Sequence, residues 1–256
     1  MRSLWTHWSA LAARLRAAPR RLLVFDYDGT LSPLVDRPAE AILPESTKAL
    51  LRTLSRQPQN TVSLLSGRSI RQLKRFVRLP GILYGGNHGL ELEEAGRRWV
   101  HPEMRRRTAD IQRAARILRK ALEPIAGARL ENKTLSLSVH FREVPPSKRP
   151  ELRRTLRRSL RPLRRRLDLR AGEKIIEVRP RIAWNKGAAL RRLARRMPRG
   201  SVLLFAGDDQ TDEDAFRAIR RRGISVRVGR ARSSRAAYYL RRQAEMSALL
   251  KKLAAL

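Results

Sequence analysis

Short apolar runs ending in polar clusters set the rhythm of this chain. Leu22-Leu23-Val24-Phe25 runs into Asp26, Thr61-Val62-Ser63-Leu64-Leu65 into Ser66-Gly67-Arg68, and Val202-Leu203-Leu204-Phe205-Ala206 into Gly207-Asp208-Asp209. Runs of this length closed by turn-forming residues read as buried strands. The pattern predicts strands near 21–25, 61–65, 82–84, 202–206 and 224–228. Helical spacing predicts helices near 46–56, 69–76, 187–197, 212–221 and 233–254. Strand and helix alternate, so the expected fold class is α/β, with a Rossmann-like doubly wound parallel sheet covered on both faces. Such sheets bind ligands outside the carboxyl ends of their strands, where the polar clusters fall.

The alternation breaks between 103 and 180. That interval reads as helix 106–122, strand 129–131, strand 134–142, helix 148–167 and strand 174–179, with Pro145-Pro146 as an internal turn. The expected organisation is therefore a core made of 1–102 and 181–256, interrupted by a compact α/β insert over 103–180. Points near Glu103 and Arg181 would serve as hinges.

Asp26-Tyr27-Asp28-Gly29-Thr30 carries the most chemistry. Two carboxylates at the end of a buried strand are costly unless paired or bound to a metal. Together they could ligate a hard cation such as Mg²⁺ through oxygen. The plain alternative is an Asp-capped turn with Gly29 at a positive φ. Ser66 and the Gly67 N–H suit a phosphate oxygen at a helix start, although Ser-Gly after a strand is also an ordinary cap. Lys186 sits at the start of a predicted helix, where a cation opposes the dipole unless an anion lies between them. The run from Asp208 to Asp214 splits in two. Asp212, Glu213 and Asp214 read as a solvated helix N-terminus, whereas Asp208 and Asp209 sit directly at a strand end.

The ordered set D-x-D-G-T, S-G-R, K-G and G-D-D-x-T-D-E resembles the haloacid dehalogenase-like phosphatases from Leu22 to about Leu250. The resemblance implies Asp26 as the nucleophile that becomes an aspartyl-phosphate, and Asp28 as the general acid and then base. It implies Ser66 and Lys186 as partners of the transferred phosphoryl group. Mg²⁺ would be held by Asp26, Asp208 and the Asp28 carbonyl, with Asp209 and Asp212 behind them. In that scheme a cation and Lys186 hold the Asp26 pKa low.

Three further stretches resemble trehalose-6-phosphate phosphatases: Tyr84–Glu91, Glu131–Arg142 and Glu177-Val178-Arg179-Pro180 leading to Trp184-Asn185-Lys186-Gly187. By that likeness the insert is a cap domain, and Glu131, Lys133 and Glu177 hold the distal glucose. Gly67, Arg68 and His88 join the substrate-binding set with Asp26 and Asp28. A bland alternative makes Glu131 and Lys133 a surface ion pair and points Glu177 into solvent. Trp99 and Trp184 could stack on sugar but more commonly would be structural; His7, His101 and His140 carry no signal. Arg181-Ile182-Ala183 is bulkier and more basic than the family usually shows there.

Composition adjusts this picture modestly. The net charge is +35, with 58 Lys and Arg against 23 Asp and Glu. The arginines are spread over many elements without interleaved aromatics, which fits general arginine use on solvated helix faces better than a specific nucleic-acid partner. Such a field steers anionic sugar phosphates. The absence of cysteine agrees with a reducing cytosol. Residues 1–20 read as an amphipathic helix on the core and not as a secretory signal, and no run is long enough to span a membrane. The expectation is a cytoplasmic, monomeric, Mg²⁺-dependent hydrolase of trehalose 6-phosphate, with a small sugar phosphate as its partner. The competing readings are another sugar-phosphate phosphatase, acting on mannosyl-3-phosphoglycerate or sucrose phosphate, and a nucleic-acid-binding protein on the same fold.

Overall fold

The computed structural model describes residues 1–35, 40–94, 96–172, 174–220 and 222–256. The elements in chain order are β1 (Arg2–Ser3), α1 (Trp8–Ala17), β2 (Arg21–Phe25), α2 (Glu45–Arg56), β3 (Asn60–Leu65), α3 (Ile70–Val77), β4 (Leu83–Gly86), β5 (Glu91–Glu94) and β6 (Arg97–Val100). Then follow α4 (Met104–Leu122), β7 (Arg129–Asn132), β8 (Leu137–His140), α5 (Arg149–Ser159), β9 (Leu167–Gly172) and β10 (Ile175–Pro180). The chain closes with α6 (Lys186–Ala194), β11 (Val202–Gly207), α7 (Glu213–Ile219), β12 (Ile224–Val228), β13 (Tyr238–Leu240) and α8 (Glu245–Ala254). The fold divides into two compact units, Met1–Trp99 with Trp184–Leu256, and Val100–Ala183.

The core unit is a doubly wound α/β sheet. Among the described residues its strand order is β1-β13-β12-β11-β2-β3-β4-β5-β6. The pairs from β1 to β4 run parallel, and β5 turns back antiparallel against β4. Every residue of β2 is buried, and the period of two divides them between the sheet's faces. Leu23 and Phe25 join the cluster built with Leu51, Leu54, Leu73 and Leu249 from α2, α3 and α8. Leu22 and Val24 join Leu190, Leu193, Phe216 and Ile219 from α6 and α7. Burial on both faces is why these strands are apolar throughout instead of alternating. The N-terminal helix α1 adds Leu11 and Leu15 to the first cluster.

The inserted unit is a four-stranded sheet, β7-β8-β10-β9, with antiparallel neighbours. Leu137, Val139, Ile176 and Val178 lie on the face that packs against Ile111, Leu118 and Leu122 of α4 and Leu152 and Leu156 of α5. Alternation places Glu131, Ser138 and Glu177, one cross-strand row, on the opposite face.

Several expected elements differ. The helix expected over 233–254 is β13 followed by the shorter α8. Tyr238-Tyr239-Leu240 pair with β12 on one side and with β1 on the other, and sheet pairing outweighs local helical spacing. The helix expected over 148–167 ends at Ser159. A short 3₁₀ turn holds Pro162, which has no N–H for an α-helical bond, and β9 follows. The strand expected over 134–142 is confined to 137–140, because Thr134 takes a left-handed φ of 73° in a turn. Strands β5 and β6 were not legible as a separate hairpin.

Candidate active site

The parallel register aligns the catalytic candidates. Phe25 lies opposite Ala206 across β2 and β11, and the Asp26 N–H donates to the Ala206 carbonyl at 2.9 Å. Asp26 and Asp208 therefore leave neighbouring strands on the same edge. Gly29 has a φ of +75°, and a Cβ there would fall on the Asp208 carboxylate, so this turn needs glycine for both conformation and room. The Thr30 hydroxyl donates to Asp208 Oδ1 at 3.0 Å.

Lys186 enters from the first turn of α6, which Asn185 caps by accepting from the Ala188 N–H at 2.9 Å. It is 2 % exposed, and its ammonium donates to Asp26 Oδ1 at 2.7 Å and Asp212 Oδ1 at 2.6 Å. Asp212 is fully buried and its other oxygen accepts from the backbone N–H groups of Asp208 and Asp209, each at 3.0 Å. The expected solvated N-terminus thus fails for Asp212, which anchors the site. It fails also for Glu213, a buried carboxylate held by Arg227, Ser234 and the Arg235 N–H. Asp209 is exposed and serves as a cap.

Carboxylate oxygens of Asp26, Asp208 and Asp212 can lie within 4.8 Å of one another. Asp26 and Asp212 share the Lys186 ammonium, and Asp208 accepts the Thr30 hydroxyl. An all-oxygen donor set with this excess of negative charge fits a hard divalent cation such as Mg²⁺.

The Ser66 loop lies beside this cluster. The Asn87 N–H donates to the Arg68 carbonyl at 2.8 Å and the His88 N–H to the Ser66 carbonyl at 2.9 Å. Asn87 and His88 both hold left-handed φ values, 49° and 56°. Glu91, buried, secures that strained turn through the Asn87 side chain at 2.6 Å, the Ile70 N–H at 3.0 Å and Arg98 at 2.6 Å. The His88 ring packs against Gly67, where any Cβ would collide with it. Ser66 Oγ accepts from the Arg68 N–H at 3.1 Å. Arg68, expected to bind substrate, sets its guanidinium on Asp28 at 2.8 and 2.6 Å and lies near the rings of Tyr27 and Phe76. Trp184 donates to the Gly89 carbonyl at 2.7 Å and packs on Trp99, a structural role for both rings.

In the inserted unit Glu177 is buried, which rules out the bland alternative that it points into solvent. It pairs with Lys133 at 3.5 Å and with Arg179. Glu131 contacts His140 Nε2 at 2.8 Å. Arg179 and His140, which gave no signal in the sequence, thus share the polar sheet face with the expected sugar ligands. The sheet face they share becomes visible only once register is fixed.

The buried acidic groups raise one another's pKa values. Among the protein's own groups, burial pushes the Asp26 pKa well above the usual carboxylate range against the pull of Lys186, and Asp212 and Asp208 add to the rise. Burial and Asp212 push Asp208 up to about 7. The Lys186 pKa is raised, because the attraction of Asp212 and Asp26 outweighs desolvation. A carboxyl whose folded pKa is raised stabilises below its unfolded pKa and loses that contribution as pH rises through the folded value. Under chelator, Asp208→Asn protein should therefore melt above wild type at pH 8, by at most about 4 kcal/mol. The gap should close as pH falls below about 4. Mg²⁺ should raise the wild-type melting temperature at pH 8 and not at pH 4. Equal melting of the two proteins at every pH would refute this account of the cluster.

Comparison with known proteins agrees with this geometry. Residues 24–246 match the family model described as trehalose-phosphatase. Trehalose 6-phosphate phosphatase RA3 of Zea mays is 35% identical, over 97% of this chain and 75% of that protein. Trehalose-phosphate phosphatase B of Arabidopsis thaliana is 31% identical, over 93% of this chain and 67% of that protein. The solved C-terminal domain of the C. albicans trehalose-6-phosphate phosphatase superposes with a TM-score of 0.83 at 26% identity, covering 97% of this chain and 96% of that one. Among the described residues no helix is long and apolar enough to cross a membrane. With the matched region running from β2 into α8, through both carboxylate-bearing strand ends, the chain belongs to the trehalose-phosphatase family, a family of phosphoric monoester hydrolases.

Proposed function

We propose that this chain hydrolyses trehalose 6-phosphate through an aspartyl-phosphate on Asp26, with Mg²⁺ as cofactor. The observation that carries the reading is the buried Lys186 ammonium bridging Asp26 and Asp212 beside Asp208. Asp26, Asp208, Asp212 and the Asp28 carbonyl would hold the metal, which when bound offsets the phosphate's negative charge and the charge of the acidic cluster.

The Asp26 carboxylate attacks phosphorus, and the bond from phosphorus to the sugar oxygen breaks. Asp28, acting as general acid, delivers a proton to that leaving oxygen, and trehalose departs. Asp28 then takes a proton from water as the water oxygen attacks phosphorus, which frees phosphate and restores Asp26. Lys186 and Ser66 stabilise charge on the phosphoryl oxygens, where most of the catalysis of this transfer lies. Arg68 orients the Asp28 carboxyl. Glu131, Lys133 and Glu177 bind the sugar hydroxyls through charge-assisted hydrogen bonds.

A panel of sugar phosphates assayed with Mg²⁺ or with chelator tests this. Trehalose 6-phosphate should be turned over fastest, and only with the metal. Strong turnover of sucrose phosphate or mannosyl-3-phosphoglycerate, with trehalose 6-phosphate at background, would reject the substrate. Glu131→Ala and Glu177→Ala should each lower kcat/KM on trehalose 6-phosphate about 10- to 100-fold, the value of a charged hydrogen bond. Turnover of p-nitrophenyl phosphate should be spared. Equal losses on both substrates would place these residues outside sugar recognition.

A further inference from the structure

The arginines occur on many elements but are densest on one stretch of the inserted unit. Between 149 and 166 the chain holds nine arginines and one acid, Glu151, which pairs with Lys148. The spacing of Leu152, Leu156, Leu160 and Leu163 buries one side of α5 and the turn after it. Arg154, Arg157, Arg158, Arg161, Arg164 and Arg165 are left exposed, and none has an ion-pair partner among the described residues. Helix α4 packs beside α5 and repeats the pattern. Its one acid, Asp110, is buried and already taken by Arg166 at 3.0 Å, while Arg113, Arg116 and Lys120 are exposed. This helical layer covers the sheet face opposite the row of Glu131 and Glu177.

We infer that the helical face formed by α4 and α5 docks the phosphate backbone of a nucleic-acid duplex, independently of sequence. The occupant follows from what the face offers and what it lacks. A dense set of unneutralised guanidiniums suits a linear array of phosphates, whose condensed counterions are released on contact. The 19 residues of α4 span about 28 Å, along which a duplex carries roughly 16 charges. Neither helix exposes an aromatic ring on which single-stranded bases could stack. Neither exposes a large apolar side chain that could enter a bilayer. Without side chains placed to read bases, the contact positions the protein on the duplex and specifies no sequence.

Fluorescence anisotropy with a labelled DNA duplex of arbitrary sequence tests this on the full chain. Three proteins are compared: wild type, R154E/R158E/R165E on this face, and R191E/R195E/R199E elsewhere with the same change in charge. Wild type should bind with a steep salt dependence. The first triple variant should lose affinity at least about tenfold, with the salt slope falling by about 3, near 0.9 per lost phosphate contact. The second should lose less than about threefold, and both should hydrolyse sugar phosphate and melt as wild type does. Equal weakening of the two variants would reduce the effect to overall charge and overturn the assignment. So would tighter binding to vesicles of anionic lipid, or to single strands, than to the duplex. A variant that melts early is replaced by its Arg→Gln counterpart, read against the same outcomes.

Discussion

Asp26→Asn protein will lose trehalose 6-phosphate hydrolysis by a factor on the order of 10⁴ to 10⁶ while folding as well as wild type. In the proposed mechanism the activity loss follows from removing the carboxylate that attacks phosphorus. The retained stability follows from electrostatics. Burial and two neighbouring carboxylates already penalise charge on Asp26, so a neutral amide of the same shape relieves a like-charge conflict. Lys186 keeps its second partner, Asp212, at 2.6 Å. Mass spectrometry after rapid quenching should find a phosphorylated peptide containing Asp26 in wild type and none in the variant. Residual turnover above about 1% of wild type would dismiss Asp26 as nucleophile.

Lys186→Met protein presents the opposite balance, losing both stability and activity. The ammonium is buried and neutralises two buried carboxylates. Removing one partner of a buried pair leaves uncompensated charge and costs about 3–5 kcal/mol. For a chain of this length that lowers the melting temperature by roughly 6–20 °C. In the proposed mechanism the loss of one stabilising contact to the transferring phosphoryl group should lower kcat about 10²- to 10³-fold. The raised Lys186 pKa keeps the ammonium charged through neutral and mildly alkaline pH, so its contribution should not titrate there. Adding Asp212→Asn to Lys186→Met removes one orphaned anion and should recover part of the stability but none of the activity. A single variant that melts like wild type would show that the bridge contributes nothing to the fold.

The difference between these outcomes reflects how the site is built. Asp26 is one of several anions arranged around a place for cations, whereas Lys186 is the one cation the described residues supply in contact with two of those anions. Inserting a buried lysine at a helix start runs against the helix dipole. The arrangement is tolerated because Asp212 takes the ammonium while also accepting the N–H groups that close the Asp208 turn.

Much of this protein was legible in its residues. Strands β2, β3 and β11 were visible because sheets covered on both faces need continuous apolar runs. Asp26, Asp28, Ser66 and Asp208 were singled out because polar clusters directly after such runs fall at one edge of the sheet, and Lys186 because a cation at a helix start opposes the dipole. Tertiary structure alone decided the rest. By residue pattern Asp212 looked like a solvated helix start, though the resemblance set it behind the metal ligands; the close approach of α6 and α7 makes it the buried partner of Lys186. Arg68 reached Asp28 across 40 positions, and His140 and Arg179 joined Glu131 and Glu177 only when antiparallel register set their shared sheet face. Local pattern records which side of an element is apolar. Which polar groups meet depends on packing between elements far apart in sequence, and only the folded chain brings them within bonding distance.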